Sequence, residues 1–204
     1  MPTLLHIDSS PRSASVSSKL AASFVERWKA QNPSGTVIQH NTSLEEIPFL
    51  DEATIAAFYT PAEALTAEQK QKLVLSDKLI DELLAADVLV LGVPMWNFGI
   101  PASLKAWIDQ IVRVGRTFAY TATGVTSLLP AGKKLYAFTA RGGAYAPGTP
   151  FHPYDLQEPY LRAAFGFLGI SDIEFVNAEN QGRGGDAAVL GLAAAEAALA
   201  ALAV

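Results

Sequence analysis

The run Val88-Leu89-Val90-Leu91-Gly92-Val93 is an uninterrupted apolar segment that leads directly into the loop Pro94-Met95-Trp96-Asn97-Phe98-Gly99-Ile100-Pro101. A strand without polar alternation is typical of a parallel sheet that is covered on both faces. A segment of helical character follows the loop, which places the loop at the carboxyl end of the predicted strand. Open α/β sheets bind their ligands at that end.

Short apolar runs alternate with longer segments of helical period along the rest of the chain. Strands are predicted at 3–8, 35–41, 87–93, 134–140 and 172–177. Helices are predicted at 16–31, within 51–85, and at 102–113, 156–168 and 186–203. This alternation predicts the α/β class, a three-layer sandwich with helices on both faces of a five-stranded parallel sheet of order 2-1-3-4-5. In that order the ligand crevice lies at the ends of strands one and three.

Composition limits the chain to a few classes of protein. Its 204 residues are 50% apolar, enough to bury one sizeable core, and no stretch is typical of a linker, so we predict a single domain over residues 1–204. The chain has no cysteine, which excludes disulfides and thiolate chemistry. Its three histidines, His6, His40 and His152, are far apart in sequence, which argues against a zinc site.

Charge and the terminal segments restrict the partners. A net charge of -5 and the lack of a Lys/Arg run argue against nucleic acid and against anionic membrane surfaces, so we expect a small-molecule ligand. Residues 2–8 form a strand-like run rather than a signal peptide, which predicts a cytoplasmic location. The apolar segment Ala187–Val204 contains Glu196 and is predicted to be a helix packed on the sheet rather than a membrane span.

A loop rich in hydroxyl groups follows the first predicted strand: Ser9-Ser10-Pro11-Arg12-Ser13-Ala14-Ser15-Val16-Ser17-Ser18. The loop enters a helix, whose first N–H groups lack partners and whose dipole places partial positive charge at that end. Hydroxyl donors beside a helix N-terminus suit a terminal phosphate. The alternative is simple capping of the helix by Ser15 or Ser17, which requires one serine rather than a cluster.

Two further loops follow predicted strands at the same edge of the sheet. Met95-Trp96-Asn97-Phe98 offers an apolar wall and an amide, which suits a flat heterocycle with polar edges such as a flavin ring. The alternative is a surface turn whose aromatic rings enter the core or a subunit contact. The backbone and guanidinium of Thr139-Ala140-Arg141-Gly142-Gly143 are expected to approach the same crevice. Its two glycines permit positive φ, although a strand-ending turn would use them equally well.

Two other segments need a separate interpretation. Residues 115–130, beginning Gly115-Arg116-Thr117-Phe118, contain β-forming and turn residues where a direct return to the sheet is expected, which indicates an excursion that covers part of the protein. Gly182-Arg183-Gly184-Gly185-Asp186-Ala187 matches the G-x-G-x-x-A pattern, but it precedes the last helix rather than the first, so we do not interpret it as a dinucleotide motif.

Six motifs occur together in the order and at close to the spacing of a known family. They are Ser10-Pro11-Arg12, Ser15-Val16-Ser17, Pro94–Phe98, Leu104–Arg113, Arg141-Gly142-Gly143 and Phe165–Ile170. Over nearly its whole length the chain resembles the FMN-dependent NADH azoreductases, which are also NADH:quinone oxidoreductases. The resemblance implies a flavodoxin-like homodimer that holds FMN noncovalently near the subunit interface, with NADH or NADPH as the electron donor and a quinone or azo compound as the acceptor.

The resemblance also implies roles for particular residues. The FMN phosphate would be bound by Ser10, Ser15, Val16 and Ser17, and the isoalloxazine ring would be lined by Met95, Trp96, Asn97 and Phe98. The rim of the ring would be formed by Ala140, Arg141, Gly142 and Gly143. Phe118, Tyr120 and Phe151 are candidates for covering the substrate face of the same or the partner subunit, or alternatively for packing in a dimer core.

The chain departs from the family pattern at two of these positions. Trp96 stands where the family often has Tyr, and Val16 stands where it often has Gln. Trp keeps a flat apolar face, while the polar contacts of the first loop change. We therefore expect an affinity for FMN that differs from the family norm.

The resulting hypothesis is a ping-pong transfer of two electrons from a reduced nicotinamide through the flavin to a quinone or azo compound. No side chain is expected to act as acid, base or nucleophile. The main alternative is a flavodoxin-type electron carrier that serves protein partners. A second alternative is a binding or regulatory protein that keeps the fold without FMN.

Overall fold

A parallel five-stranded sheet forms the centre of the protein. A computed structural model describes residues 1–203, and Val204 lies outside the described residues. The strands of this sheet are β1 (Thr3–Asp8), β2 (Thr36–Asn41), β3 (Val88–Pro94), β6 (Lys134–Ala140) and β7 (Asp172–Ala178). Their order is β2-β1-β3-β6-β7, and every neighbouring pair is parallel. This is the predicted order 2-1-3-4-5, so the predicted flavodoxin-like fold is confirmed.

Helices cover both faces of the sheet. They are α1 (Val16–Gln31), α2 (Glu52–Phe58), α3 (Ala67–Ala85), α4 (Ala102–Ile111), α5 (Gln157–Phe167) and α6 (Gly185–Ala201). One core joins α3, α4 and α5 to the sheet face that carries Leu5, Leu89 and Leu91. The other core joins α1 and α6 to the opposite face through Leu4 and Val90. The continuous apolar run of β3 is therefore explained by burial on both sides.

The predicted helical region 51–85 divides into two helices for local reasons. Asp51 caps α2 by accepting a hydrogen bond from the Thr54 N–H, and Pro61 follows the end of that helix. Thr66 and Gln69 then form a capping box that begins α3. Two short 3₁₀ turns occupy Ala62–Ala64 and His152–Tyr154.

The predicted excursion at 115–130 is an antiparallel hairpin of β4 (Phe118–Thr121) and β5 (Gly124–Ser127). The Phe118 ring is buried against Phe167, with ring centroids 4.9 Å apart. Ser127 Oγ donates to the Leu168 carbonyl at 2.6 Å. In its own chain the hairpin therefore covers the carboxyl end of α5.

The last helix, α6, packs on β7 through Ala195 and Leu199, which join the core that contains Val176 and Ala178. Within residues 1–203, no helix has the length and apolar character that crossing a membrane requires. Close packing of α6 depends on Gly191, because a Cβ at this position would lie 2.0 Å from the carbonyl oxygen of Glu179.

Gly191→Ala is therefore expected to lower the free energy of unfolding by about 1–3 kcal/mol through overpacking, although alanine is the better helix former. Gly166→Ala is the matched control, because a Cβ on that glycine of α5 would meet nothing within 4 Å. The control should be neutral or stabilising by up to about 1 kcal/mol. Urea denaturation of both variants measures the difference, and equal stabilisation by both would contradict the packing of α6.

An unusual polar group lies in the core beside α1. The His6 side chain on β1 is 4% exposed, and its Nε2 has no hydrogen-bond partner among the described residues. Burial lowers the pKa of His6 below its ordinary value of 6.5, and the charge of Asp8 only partly opposes this shift. The folded protein therefore keeps this imidazole neutral.

The unfolded chain binds a proton at His6 more readily than the folded chain, so the free energy of unfolding should fall as the pH drops below about 6.5. His6→Leu should remove part of this acid sensitivity. Thermal melts at neutral pH and at about one unit below 6.5 measure the effect, with His152→Gln as the control for an exposed histidine. Identical pH dependence in the wild type and His6→Leu would contradict the assignment.

Candidate functional site

Four strand-ending loops meet at one cleft at the carboxyl edge of the sheet. The cleft has a volume of ≈ 280 Å³ and is bounded by the segments after β1, β3, β6 and β7. The predicted site residues that line it are Ser10, Ser15, Val16, Met95, Trp96, Ala140, Arg141 and Gly142. The structure thus brings the hydroxyl-rich loop, the aromatic loop and the glycine loop to one place.

The loop after β1 is held by the carboxylate of Asp8. Its Oδ1 accepts hydrogen bonds from the Ser10 N–H at 3.2 Å and from Ser18 Oγ at 2.8 Å, and its Oδ2 accepts from Asn41 Nδ2 at 3.3 Å. Gly92 on β3 leaves room for this carboxylate, since a Cβ there would lie 3.1 Å from Asp8 Oδ1. Asp8 therefore positions the loop.

The serines of this loop cap α1 and also keep hydroxyl protons free to donate. Ser15 caps α1, because its Oγ accepts from the Ser18 N–H at 3.3 Å, and it is also bonded to Ser17 Oγ at 3.1 Å. Only one proton is used in the Ser15–Ser17 hydrogen bond, so one of the two hydroxyls keeps a proton to donate. Ser10 Oγ accepts from the Arg12 N–H at 3.3 Å and likewise keeps its own proton.

Positive charge is available at the same end of the cleft. The dipole of α1 directs its positive end there, because Ser15 is the N-cap. Arg12 lines the cleft, and within residues 1–203 its guanidinium forms no ion pair. The donors and the charge together suit an anion such as a phosphate.

The aromatic loop contains a tight turn with unusual backbone geometry. Trp96 and Gly99 exchange two backbone hydrogen bonds of 3.1 Å, and the two residues between them, Asn97 and Phe98, have φ values of 48° and 72°. Positive φ at both central positions is characteristic of a type I′ turn, which glycine and asparagine normally form. Phe98 has a bulky side chain, so its backbone is strained.

The side chains of this turn lie in two places, some in the lining of the cleft and some beside it. Met95 and Trp96 line the cleft, and the Met95 N–H is fixed by the carbonyl of Ala140 at 2.8 Å. Asn97 and Phe98 stand beside the cleft rather than in its lining, and the Phe98 ring faces Tyr154 with centroids 5.4 Å apart. Trp96 and Phe98 are each 42% exposed, so flat apolar surface is available at the cleft and next to it.

The sequence predicts that the guanidinium of Arg141 approaches the cleft. In the structure the side chain of Arg141 does not reach it. The side chain is 1% exposed, and the guanidinium contacts Asp155 at 3.0 Å, Glu179 at 3.3 Å and Glu158 at 3.5 Å. A buried cation must be paired, and these carboxylates draw the side chain behind the loop. The cleft receives the backbone around Arg141, whose N–H donates to Ala178 and whose carbonyl accepts from Gln181.

The two glycines of this loop do not have an unusual conformation, and a Cβ on Gly142 would meet nothing within 4 Å. Neither Gly142 nor Gly143 has positive φ. Gly182 lies so close to Gly142 that a Cβ on Gly182 would be 3.2 Å from the Gly142 Cα and carbonyl oxygen. The loops after β6 and β7 therefore meet backbone to backbone at the rim of the cleft.

Burial also changes the acid–base properties of this corner of the protein. It raises the pKa of Glu179, while the hydrogen bond from the Tyr145 N–H and the charge of Arg141 oppose the change. Glu179 is therefore held less firmly in its charged form than an exposed glutamate.

The three predicted substrate residues lie in two different places. Phe118 and Tyr120 are on the hairpin, where Tyr120 lines a separate cavity of ≈ 390 Å³ with Phe58 and Tyr59. Neither lines the cleft of its own chain. Phe151 stands near the cleft, because a Cβ on Gly143 would be 3.7 Å from its ring.

Several residues at or near the cleft were not assigned from the sequence. Gln181 and Gly182 line it, although only the glycine pattern beginning at Gly182 draws attention to that loop. Asp8 and Tyr154 are further examples. The position of Asp8 at the end of the first strand is a sequence feature that could have indicated its role. No sequence feature indicates Tyr154, because its contact with Phe98 depends on the course of the loop after β6.

Comparison with known proteins places these features in context. The family described as flavodoxin-like fold matches residues 2–202. An FMN-dependent NADH:quinone oxidoreductase from Nostoc sp. is 49% identical over 98% of this chain and 97% of its own length. One from Azotobacter vinelandii is 46% identical over 98% of both chains.

Solved structures are similar over the same length. A crystal structure of azoreductase from Bacillus anthracis superimposes with a TM-score of 0.88 at 31% identity and covers 98% of both chains. An FMN-dependent NADH-azoreductase from Bacillus anthracis in complex with FMN has a TM-score of 0.86 at 28% identity over 100% of both chains.

Proposed function

Because this chain belongs to the flavodoxin-like family that includes the FMN-dependent NADH:quinone oxidoreductases, we propose that it transfers two electrons from NADH through FMN to a quinone or an azo compound. In the quinone reaction, NADH, a proton and the quinone give NAD⁺ and the hydroquinone. The single observation that carries the proposal is the cleft in which the serine loop and Trp96 face the same space.

The residues present fit FMN at both ends of the molecule. The phosphate would be held by the hydroxyl groups of Ser10 and Ser15, by the N-terminus of α1 and by the charge of Arg12. The isoalloxazine would lie against Met95 and Trp96, with the backbone of residues 140–142 at its rim. Val16, where the family often has Gln, would contribute its backbone N–H rather than a side-chain amide.

When bound, FMN supplies the redox chemistry, accepting a hydride from the nicotinamide and passing two electrons to the acceptor. The protein binds and orients the reactants. We propose a ping-pong order, in which one open face of the cleft receives the nicotinamide and the acceptor in turn. No histidine lines the cleft within residues 1–203.

We further propose that the protein acts as a homodimer and that Tyr120 covers the partner's cleft. The cavity that Tyr120 lines is largely apolar, with Phe58 and Leu65 among its walls, and the Tyr120 side chain is 66% exposed in one chain. Such a surface is typical of a protein interface. Phe118 would support Tyr120, since their rings meet edge to face at 5.6 Å.

The net charge of -5 supports the absence of nucleic-acid and membrane partners, and we propose a cytoplasmic location.

The purified protein is expected to be yellow, and its flavin absorbance should bleach when NADH is added without oxygen and return when a quinone is added. Steady-state oxidation of NADH with soluble quinone and no other protein distinguishes this enzyme from a flavodoxin-type carrier, which would need a reductase. A colourless protein that does not bind added FMN would refute the proposal.

A second test separates phosphate binding from helix capping at Ser15. Ser15→Asp keeps a good N-cap, so the free energy of unfolding should change by less than about 0.5 kcal/mol, but its carboxylate would repel the phosphate. The dissociation constant for FMN should rise at least about tenfold, while that for riboflavin, which lacks the phosphate, stays the same.

Ser15→Ala is the matched control for this experiment. It should lower the free energy of unfolding by about 1 kcal/mol through loss of the cap, without introducing repulsion. Equal weakening of FMN and riboflavin by Ser15→Asp would contradict a phosphate site at the start of α1. Both constants are measured by fluorescence titration of the flavin.

A further inference from the structure

Beside the cleft, three aromatic side chains form a continuous row that the fold itself does not explain. Phe98, Tyr154 and Phe151 follow one another with ring centroids 5.4 Å and 6.4 Å apart, and Tyr145 adjoins Phe151 at 6.0 Å. We call the rings of Phe98, Tyr154 and Phe151 the aromatic shelf. It combines one residue of the turn after β3 with two residues of the segment between β6 and α5.

The shelf is exposed although its members are large and mostly apolar. Phe98, Phe151 and Tyr154 are 42%, 41% and 53% exposed, whereas Tyr145 at the inner end is buried. A single exposed aromatic ring is common, but a contiguous group marks a binding surface. Burial of these rings in the core would have given a higher free energy of unfolding.

The shelf is continuous with the cleft. Phe98 follows the cleft residue Trp96 in the same turn, and Phe151 stands over Gly143, next to the cleft residue Gly142. The two sides are also joined by the backbone, since the Leu156 N–H donates to the Phe98 carbonyl at 3.1 Å. A flat molecule too large for the cleft would therefore extend over the shelf.

Hydrogen bonds hold the shelf in place without a ligand. Asp155 Oδ1 accepts from the Gln157 and Glu158 N–H groups at 3.0 Å and 3.1 Å, and its Oδ2 pairs with Arg141. His152 Nδ1 donates to the Tyr145 carbonyl at 3.0 Å. These bonds fix the backbone that carries Phe151 and Tyr154, so less ordering of this segment is needed on binding.

The chemistry of the shelf selects for flat apolar surface. Its three side chains carry no charge, and their only polar group is the Tyr154 hydroxyl. Aromatic pairs contribute in proportion to the rings that overlap, so a second and third fused ring gain contacts that a single ring cannot make.

We propose that the aromatic shelf is the acceptor subsite that makes this protein prefer polycyclic quinones to single-ring quinones. This inference rests on the proposed function, because it concerns the acceptor of the same reaction. Phe151 and Tyr154 are specificity-determining residues in this scheme, and the shelf acts in the same chain as the cleft that it adjoins.

The test compares phenanthrenequinone, with three fused rings, and benzoquinone, with one, as acceptors for the FMN-loaded protein. In Phe151→Ala and Tyr154→Ala, kcat/KM for phenanthrenequinone should fall about three- to tenfold, the range for losing one aromatic contact, and that for benzoquinone should stay unchanged. Tyr154→Phe keeps the ring and should retain the preference. Phe49→Ala removes an exposed ring that does not line the cleft and serves as the control.

Three results would overturn the inference: a ratio of the two kcat/KM values that is unchanged, as after an equal fall for both acceptors, loss of FMN from the alanine variants, or a change in their oligomeric state. The last two would assign the shelf to the cofactor site or to a subunit contact. If the wild type turns over no quinone, the proposed function fails. Equilibrium dialysis with phenanthrenequinone then tests the shelf by itself, and equal binding by wild type and Phe151→Ala would overturn it.

Discussion

The buried guanidinium of Arg141 is the constraint on which the shape of the cleft depends. It lies at the end of β6, and its carboxylate partners come from the start of α5 and the end of β7. Removing one partner from a buried ion pair leaves an uncompensated charge, at a cost of about 3–5 kcal/mol. The three segments therefore keep one relative position, and the backbone of Gly142 and the loop before α6 form a fixed rim. Asp155 extends this order to the segment that carries Tyr154.

Much of this arrangement could be predicted from periodicity and from the ends of strands. An apolar run without alternation, such as residues 88–93, forms a central parallel strand because both of its faces are buried. Once the strands are parallel, the loops after β1, β3 and β6 must share one edge of the sheet. The sequence alone therefore predicts that Ser10, Trp96 and Gly142 lie together, as they do in the cleft.

Other features depend on packing that a sequence does not display. Arg141 follows a strand and could equally extend toward the cleft or away from it, and the choice is made by carboxylates up to 38 residues away. The hairpin of residues 118–127 was expected as an excursion, but its position over α5 follows from the contact between Phe118 and Phe167. Likewise, the two-residue turn at Asn97 lacks the glycine that normally announces positive φ.

That turn has a consequence for how the sequence can change. Asn97 tolerates its positive φ, whereas Phe98 holds a backbone conformation in which glycine would be relaxed, so local folding stability favours replacement of Phe98. A glycine at either position would also remove a side chain that stands beside the cleft and allow the turn to fluctuate. Relief of backbone strain and retention of an aromatic ring beside the cleft are thus opposing demands at Phe98.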